Sequence, residues 1–350
     1  MAAPLGRVRL ALDAMGGDHG ATEVVPGGIA WALENPTDEL ILVGDESVIL
    51  QITGGKLPAN ARIVHGPEVI GMDEHPAQAL RERKGASILV ATNLVREGEA
   101  DAVVTAGHTG AGMAAAVLRL GRLPGVDRPA LAVQFLLREK PLVLLDVGAN
   151  PDATPENLYQ YAHMGSIFSE HVLGVSNPRV ALLSIGEEKG KGDQRIQKAT
   201  ELLDLADLNF TGNVEGRHLA ADEADVVVCD AVLGNVSIKL VEGVTTTITD
   251  MFRQEFRRLP FGPIAAILMR PAIARIRAKL DYERIGGAIL LGVKGSVVIT
   301  HGRARKRMVT FACSTAARAV REGVSGRIAS ALAAAPSVAA DGLPSGPAPA

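Results

Sequence analysis

The chain has 350 residues, of which 47% are hydrophobic and 21% are charged, with a net charge of −3. This length suits one large α/β domain or two lobes that share a sheet, and the charge excludes a nucleic-acid binder that works through its overall charge. The two cysteines, Cys229 and Cys313, are too few for a disulfide framework or a zinc site. Without a signal-like start or a run of about 18 apolar residues, we expect a cytoplasmic protein.

Short apolar runs alternate with helix-like segments along most of the chain. The runs that predict strands are Val8–Leu12, Leu40–Val43, Arg62–Val64, Ala102–Thr105, Leu142–Leu145, Val180–Leu183, Asn209–Thr211, Val226–Cys229 and Val297–Thr300. The segments that predict helices are Ala21–Glu34, Pro76–Glu97, Thr109–Leu120, Pro155–Val172 and Asp193–Leu205. Pro129–Leu137 and Pro141–Leu145 predict an antiparallel hairpin. The pattern is typical of an α/β/α fold with a mostly parallel sheet.

A longer helical pattern follows over Val236–Leu259, stops at Pro260-Phe261-Gly262-Pro263 and resumes over Ile264–Leu280. Helices of this length exceed what a crossover between strands needs, so we expect a helical hairpin that projects from the body.

These patterns predict a single α/β/α domain over residues 1–335, with room for two lobes, which includes the projecting hairpin of residues 236–281. Residues 336–350 consist almost entirely of Ala, Pro, Gly and Ser. Such a composition cannot form a packed core, so we expect a disordered tail.

Two glycine-rich loops follow predicted strands. In Asp13-Ala14-Met15-Gly16-Gly17-Asp18-His19-Gly20, acids beside glycines favour an anion-binding loop over an ordinary turn. In the second loop, Gly110-x-Gly112-x-x-Ala115 fits a loose dinucleotide fingerprint, but the acid that should follow is missing from the end of the next strand. A cradle for a smaller phosphate fits better. The candidate phosphate-binding residues are Gly16, Gly17, Gly107, His108, Thr109 and Gly110.

Four further loops carry polar residues that suit catalysis. Asp146 and Asn150 end an apolar strand, at the edge where open α/β sheets bind ligands. Lys191 lies between glycines in a loop that suits phosphate but lacks the P-loop spacing. The remaining candidates are Asn235 and Lys239, after Asp230, and His301 in Thr300-His301-Gly302-Arg303.

The motifs that are missing narrow the chemistry. The chain has no Gly-x-Ser-x-Gly elbow, no His-Glu-x-x-His and no cysteine in an electropositive loop. An acyl transfer at these loops would therefore use phosphate as the direct nucleophile, with the protein positioning it and stabilising the oxyanion. No ligand spacing indicates a metal, and we expect no cofactor.

Several motifs occur together and in order. They are Ala11-Leu12-Asp13-Ala14-Met15-Gly16-Gly17-Asp18, Ala106–Ala111, Asp127-Arg128-Pro129-Ala130, Leu145-Asp146-Val147-Gly148-Ala149-Asn150, Gln160-Tyr161-Ala162, Met164-Gly165-Ser166, Asn177-Pro178-Arg179-Val180, Gly186-Glu187-Glu188, Gly234-Asn235-Val236, Lys239, Glu242-Gly243, Tyr282 and Gly286-Gly287-Ala288. Through them the chain resembles the acyl-ACP:phosphate acyltransferases of bacterial phospholipid synthesis (PlsX type) over about residues 8–325.

The resemblance implies a Rossmann-like α/β/α fold, related to the phosphotransacetylases and to the isopropylmalate dehydrogenase type. It implies that fatty acyl-ACP and inorganic phosphate are converted to acyl phosphate and free acyl carrier protein. It also implies a homodimer, peripheral attachment to the membrane, and a glycerol-3-phosphate acyltransferase that consumes the product.

The chain departs from the family pattern at two places. His108 stands where the family commonly has Asn, and it still offers one hydrogen bond to phosphate. Ala231, Val232 and Leu233 stand where the family usually has Gly-Phe-Thr. The second change removes a hydroxyl and an aromatic ring, so we expect it to affect acyl-chain preference or rate more than reaction class.

Met251–Leu280 contains seven basic residues and one acid, Glu255. With an apolar tip, this basic hairpin predicts a membrane-surface anchor; a dimer interface with a basic edge is the alternative. The surface candidates are Arg257, Arg258, Phe261, Ile264, Leu268 and Arg270. Acyl carrier protein is acidic, so these arginines, or Arg303, Arg305, Lys306 and Arg307, are candidates for steering it.

Three other functions remain open at this point. A short-chain phosphotransacetylase acting on acyl-CoA fits the fold but leaves the basic hairpin unexplained. A metal-dependent decarboxylating dehydrogenase would need clustered aspartates, which the chain lacks. A non-catalytic membrane adaptor would show no phosphate-dependent acyl transfer.

Overall fold

Strands and helices alternate along the chain in the manner that the apolar runs predict. The computed structural model describes residues 6–71, 73–135, 140–258 and 282–334, with residues 269 and 271 in between. Its strands are β1 (Arg9–Asp13), β2 (Glu39–Gly44), β3 (Ala61–His65), β4 (Ala102–Thr105), β5 (Ala130–Phe135), β6 (Leu142–Leu145), β7 (Val180–Leu183), β8 (Phe210–Val214), β9 (Val226–Val228), β10 (Ala288–Leu291) and β11 (Ser296–Ile299). Its helices are α1 (Ala21–Glu34), α2 (Glu46–Thr53), α3 (Pro76–Glu82), α4 (Ser87–Arg96), α5 (Thr109–Arg119), α6 (Pro155–Leu173), α7 (Gln194–Asp204), α8 (Ala231–Arg258), α9 (Lys306–Arg321) and α10 (Val324–Ala334). Short 3-10 helices cover Gly216–Ala220 and Tyr282–Ile285.

The strands form one sheet in the order β3-β2-β1-β4-β11-β10-β5-β6-β9-β7-β8. The first five are parallel to one another, and the last four form a second parallel block. Between the blocks, β10 and β5 pair antiparallel with each other and with their outer neighbours. Because of these antiparallel pairings, the strands of the second block run in the opposite direction to those of the first. The pairing of β5 with β6 confirms the predicted antiparallel hairpin.

The reversal brings the carboxyl ends of both blocks to the centre of the sheet. Val298 of β11 lies opposite Ile289, which lies opposite Ala132, which in turn lies opposite Leu145 of β6. Consequently β11 and β6 end at the same level, although they point in opposite directions. The loops that follow them can flank one site, as carboxyl-end loops do in open α/β sheets.

Helices cover both faces of the sheet. Successive strand residues point to opposite faces, so Leu10 and Leu12 join one core while Ala11 joins the other. Trp31 of α1 and Phe168 of α6 are buried on the first face, and Leu89 of α4 is buried on the second. The predicted Rossmann-like α/β/α fold with a mostly parallel sheet is therefore confirmed.

Local signals explain why α6 begins and ends where it does. Thr154 caps its N-terminus, and the Thr154 and Asn157 side chains each accept a backbone hydrogen bond from the other residue, which is a capping box. Pro155 occupies the first helical position, where its missing N–H costs nothing. Gly174 ends the helix at φ 75°, a conformation that favours glycine.

Some predicted boundaries were wrong. Pro76–Glu97 is two helices, because Glu68 accepts hydrogen bonds from the backbone amides of Gly85 and Ser87 and holds the chain extended between them. The long helix starts at Ala231 and not at Val236, because Asp230 caps it.

Other elements were not predicted at all, namely α2, α9, α10 and β10. The predicted hairpin of residues 236–281 is described only through Arg258. Its second half and the tail of residues 336–350 lie outside the described residues, so the projecting arrangement stays a prediction.

Candidate active site

A cleft of about 580 Å³ opens where the two blocks of strands meet. Its lining includes Leu131 and Val133 of β5, Val147 after β6 and Ile299 of β11. Polar residues that line the same cleft are Thr109, Asn235, Lys239, Glu242, Thr300 and His301. Pockets of this size, mostly apolar with a few convergent polar groups, are typical of sites for small substrates.

The glycine loops after β1 and β4 lie against each other beside this cleft. A side chain at Gly16 would put its Cβ 2.6 Å from the Gly107 nitrogen, so only glycine allows this approach. The loop after β11 joins them, because the Asp18 amide donates to the Gly302 carbonyl over 2.7 Å. Gly16, Gly17 and Gly107, predicted from separate loops, thus lie together in the fold.

Asp13, at the end of β1, links these loops through hydrogen bonds. Its buried carboxylate accepts from the hydroxyls of Ser87 and Thr105 over 2.6 and 2.7 Å. The Thr105 hydroxyl oxygen accepts in turn from the Gly107 amide at 3.0 Å. Burial raises the pKa of Asp13, and these hydrogen bonds oppose that rise. Asp13 was predicted only as an acid beside the glycines, and its hydrogen bonds to two other segments give it this supporting position.

The N-terminus of α5 points its first turn into this region. His108 is the N-cap, and its Nδ1 accepts from the Gly110 amide over 3.0 Å. Because Nδ1 is an acceptor, the ring proton of the neutral form lies on Nε2, which can donate to a phosphate oxygen. Thr109, the next residue, lines the cleft itself.

On the other side of the cleft, α8 reaches the loop after β11. Lys239 Nζ lies 2.8 Å from His301 Nε2 and 3.0 Å from Glu242 Oε2. Arg303 also approaches Glu242, at 3.4 Å. These side chains cross from an element of the second block to a loop of the first. Glu242 and Arg303 are not among the predicted catalytic residues, although Glu242 follows Lys239 by one helical turn.

Burial and the nearby Lys239 lower the pKa of His301, while Glu242 partly opposes them. The imidazole is therefore neutral at pH 7. Both ring nitrogens face donors, since the Arg303 amide also lies 3.2 Å from Nδ1. A neutral ring accepts at only one nitrogen, so one of these two donors lacks an acceptor. An incoming anion that draws Lys239 away from the ring would remove this conflict.

Asp146 and Asn150 follow β6 as predicted, but their polar atoms bond within and around the loop. Asp146 accepts hydrogen bonds from four backbone amides, those of Leu131, Gly148, Ala149 and Asn150, and from the Asn150 side chain. Asn150 Nδ2 also donates to the Pro129 carbonyl. Both residues are buried, so they shape the loop after β6, and neither lines the cleft among the described residues.

Lys191 also lies away from the cleft lining described here. It is exposed, and its backbone amide donates to the Glu188 carbonyl over 2.9 Å. Of the surface candidates, Arg257 and Arg258 end α8 and are exposed. Phe261, Ile264, Leu268 and Arg270 lie outside the described residues.

The strand order and the helices on both faces define an α/β/α protein, and its fold is similar to that of solved phosphotransacetylases. A phosphotransacetylase from Streptococcus pyogenes matches with a TM-score of 0.59 and 19% identity, over 91% of this chain and 95% of that one. The EutD phosphotransacetylase from Staphylococcus aureus matches with a TM-score of 0.57 and 17% identity, over 90% and 94%. At such identities the likeness shows the fold alone.

Sequence comparison is more specific. The family described as fatty acid synthesis protein matches residues 8–327. A phosphate acyltransferase of Desulfitobacterium hafniense is 46% identical over 318 residues, 90% of this chain and 95% of that protein. A phosphate acyltransferase of Heliobacterium modesticaldum is 47% identical over 320 residues, 91% and 94%. The chain belongs to this family.

Among the described residues, no helix is both long and apolar enough to cross a bilayer. No group of three or more His, Cys, Asp or Glu side chains in that part of the chain is arranged to hold a metal ion.

Proposed function

We propose that this protein is an acyltransferase that moves a fatty acyl group from acyl carrier protein to inorganic phosphate and releases acyl phosphate. The observation that carries the proposal is the cleft, which offers a polar end with Lys239 and an apolar wall within about 580 Å³. Relatives named phosphate acyltransferase, similar over nine-tenths of the chain, support the reaction class.

Phosphate binds at the polar end in this proposal. Lys239 supplies the charge, Asn235 and Thr109 supply neutral hydrogen bonds, and all three line the cleft. The N-terminal turn of α5 adds the positive end of a helix dipole, which favours an anion. Gly16, Gly17, Gly107 and Gly110 stay predicted components of the same cradle.

The acyl chain lies against the apolar wall. Leu131, Val133, Val147, Val232 and Ile299 line it. Each buried methylene contributes about 0.8 kcal/mol, and an acetyl group has none. The wall therefore favours a fatty acyl donor over acetyl-CoA.

The reaction needs no covalent enzyme intermediate. An oxygen of hydrogen phosphate attacks the thioester carbonyl carbon, the C–O bond forms and the C–S bond breaks. The proton of hydrogen phosphate ends on the leaving sulfur, so the products are acyl phosphate and the free thiol. His301 is neutral because its pKa is lowered, and it is the cleft group suited to relay that proton.

The first test is phosphate-dependent release of acyl carrier protein from palmitoyl-acyl carrier protein by the purified chain, with hydroxylamine trapping of acyl phosphate. Release only with phosphate, together with a trapped hydroxamate, supports the proposal. Release without phosphate, or none at all, contradicts it.

His301→Asn tests the proton relay. The rate should fall about 10²- to 10⁴-fold, as for loss of a general acid–base group. In the wild type, activity should fall as the pH drops through the lowered pKa of His301, below 6.5, because the ring then becomes charged. His301→Asn should lose this acid limb, whereas the exposed His19→Asn should keep it.

A short-chain phosphotransacetylase acting on acyl-CoA is the second candidate, because two solved structures with a similar fold are phosphotransacetylases. Turnover of acetyl-CoA with phosphate above that of palmitoyl-acyl carrier protein would favour it. The apolar wall predicts the opposite order.

Partner and membrane assignments extend the proposal. The chain is proposed to be a cytoplasmic homodimer that binds a membrane peripherally and passes acyl phosphate to a glycerol-3-phosphate acyltransferase. Apolar side chains are exposed along α8, at Val236, Leu240, Val244, Ile248 and Phe252. Such a stripe needs a cover, and a second copy of α8 provides one.

Sedimentation and vesicle binding test these assignments. The full chain should sediment as a dimer and bind anionic vesicles in a salt-sensitive way. Reversing the charges of Arg257 and Arg258 should weaken vesicle binding and leave the dimer intact. A monomer, or equal binding to neutral vesicles, would contradict them.

A further inference from the structure

Arg195 stands in the first turn of α7, two residues after the N-cap Asp193. The positive end of a helix dipole disfavours a cation at this place. The side chain is nevertheless only 27% exposed. A cation that is partly buried at a helix N-terminus requires a compensating partner. The N-cap Asp193 lies 3.3 Å from Arg195 Nη2, and a closer partner lies on another element.

That partner is Asp230, the residue immediately before α8. Arg195 Nη2 donates to Asp230 Oδ2 over 2.8 Å. The other carboxylate oxygen accepts from the amides of Val232 and Leu233, at 2.9 and 3.0 Å. One carboxylate thus joins the guanidinium of α7 to the first turn of α8. Its side chain is 11% exposed, so water and salt screen this pair less than a surface pair.

The same region includes the loop after β6. Arg195 Nη1 lies 3.4 Å from the Ala153 carbonyl oxygen of that loop. The start of α8 touches it as well, because the Ala231 amide donates to the Asn150 carbonyl over 3.1 Å. Segments after β6, β7 and β9 therefore meet around one guanidinium, and all three belong to the second block of strands.

Asn235 and Lys239 lie about one and two turns beyond the capped start of α8, and both line the cleft. A shift of the first turn moves both side chains, because the hydrogen bonds between successive turns make them follow the start of the same helix. We infer that Arg195 is a positioning residue, which fixes the start of α8 and so places Asn235 and Lys239 against the substrate. Its kinetic consequence rests on the proposed function, but its effect on α8 does not.

Kinetics of Arg195→Ala test the role. The kcat of phosphate-dependent carrier release should fall about ten- to hundred-fold, the scale expected for a small misplacement of catalytic groups. Millimolar guanidinium should restore part of it, and Arg195→Lys should retain more activity than Arg195→Ala. The matched control is Arg217→Ala, which removes an exposed arginine paired with Glu187 and Glu215 and should leave kcat unchanged. A wild-type kcat in Arg195→Ala, or a loss that guanidinium does not restore, would overturn the inference.

Hydrogen exchange tests the same inference without catalysis. The amides of residues 232–236 should exchange faster in Arg195→Ala than in the wild type, and at the wild-type rate in Arg217→Ala. Unchanged exchange in Arg195→Ala would overturn the positioning role. If the wild type releases no carrier with phosphate, the proposed function fails, and exchange alone still decides whether Arg195 fixes α8.

Discussion

At the scale of single residues, the cations of the cleft are already paired before any substrate binds. Glu242 is within 3.0 Å of Lys239 and 3.4 Å of Arg303, and its side chain is only 21% exposed. A mostly buried carboxylate between two cations competes with any other anion for them. In the proposed function, phosphate therefore competes with Glu242 for Lys239.

Glu242→Gln should lower the KM for phosphate by about three- to tenfold. The neutral amide no longer attracts Lys239, and an ion pair of this exposure contributes on the order of 1 kcal/mol. The control is Glu255→Gln, which breaks the exposed pair with Arg258 on the same helix. Initial rates over a phosphate series measure the effect. A raised KM in Glu242→Gln would show that the carboxylate orients Lys239 and does not compete with phosphate.

Asp13 acts on the opposite side of the cleft. In Asp13→Asn, an NH₂ group replaces one carboxylate oxygen. The hydroxyl of Ser87 or Thr105, which now donates to that oxygen, would then face another hydrogen-bond donor. Leaving such a buried group unpaired costs about 1–3 kcal/mol. We expect the glycine loops to shift and the KM for phosphate to rise about tenfold. Asp101→Asn, which disturbs the pair with Arg9 at the other end of β1, should leave that KM unchanged.

The sequence indicated residue types and strand ends but not hydrogen-bond partners. This is why Asp146 and Asn150 were predicted as catalytic, whereas the structure uses their polar atoms to build a loop. Lys239 and His301 were predicted from separate loops, and they lie within 2.8 Å of each other. Their proximity depends on sheet order, which no local pattern contains.

At the scale of elements, α8 shows where local patterns fail. Its first turn, Ala231-Val232-Leu233-Gly234-Asn235, contains a glycine and looks like a loop in the sequence. The structure keeps it helical because Asp230 caps it and the turn packs on the loop after β6. Strands were predicted better, because fully buried strands such as β6, β7 and β9 are short, uniformly apolar runs.

Gly234→Ala tests this packing. A Cβ at Gly234 would overlap the Asp146 carbonyl oxygen and lie 3.0 Å from the Val147 Cα. The start of α8 would have to move, so we expect a loss of about 1–3 kcal/mol in stability together with lower activity. Gly243→Ala, on the same helix, meets nothing within 4 Å and should stabilise by about 0.5–1 kcal/mol. Thermal unfolding of both variants measures the contrast, and an equal effect in both would contradict the packing argument.

At the scale of the whole molecule, the antiparallel pair β10–β5 decides where the site lies. Without it, the carboxyl ends of both parallel blocks would face the same edge of the sheet. With it, they meet from opposite directions at one central level, and α8 spans the gap from Asp230 to His301. The fold class was predictable from the alternation of elements, but this meeting point was not, because it depends on which strands pair with β10, and no local pattern contains sheet order.

The core behind this sheet makes stability depend on pH through His163 of α6. Burial lowers its pKa to about 4, its ring packs edge-on to Tyr159 at 4.7 Å, and its Nε2 is enclosed without a partner among the described residues. The unfolded chain takes up a proton near pH 6.5 and the folded chain only near pH 4. Stability from the neutral ring is therefore complete above pH 6.5 and is lost as the pH falls from 6.5 to 4.

This loss should reach about 3 kcal/mol at pH 4, a large part of the 5–15 kcal/mol typical of a domain. His163→Phe keeps an aromatic ring beside Tyr159 and cannot take up a proton, so its stability should change less between pH 6.5 and pH 4. His65→Gln, at the exposed end of β3, should keep the wild-type slope. Urea unfolding at several pH values measures each slope, and a wild-type slope in His163→Phe would mean that other groups cause the acid sensitivity.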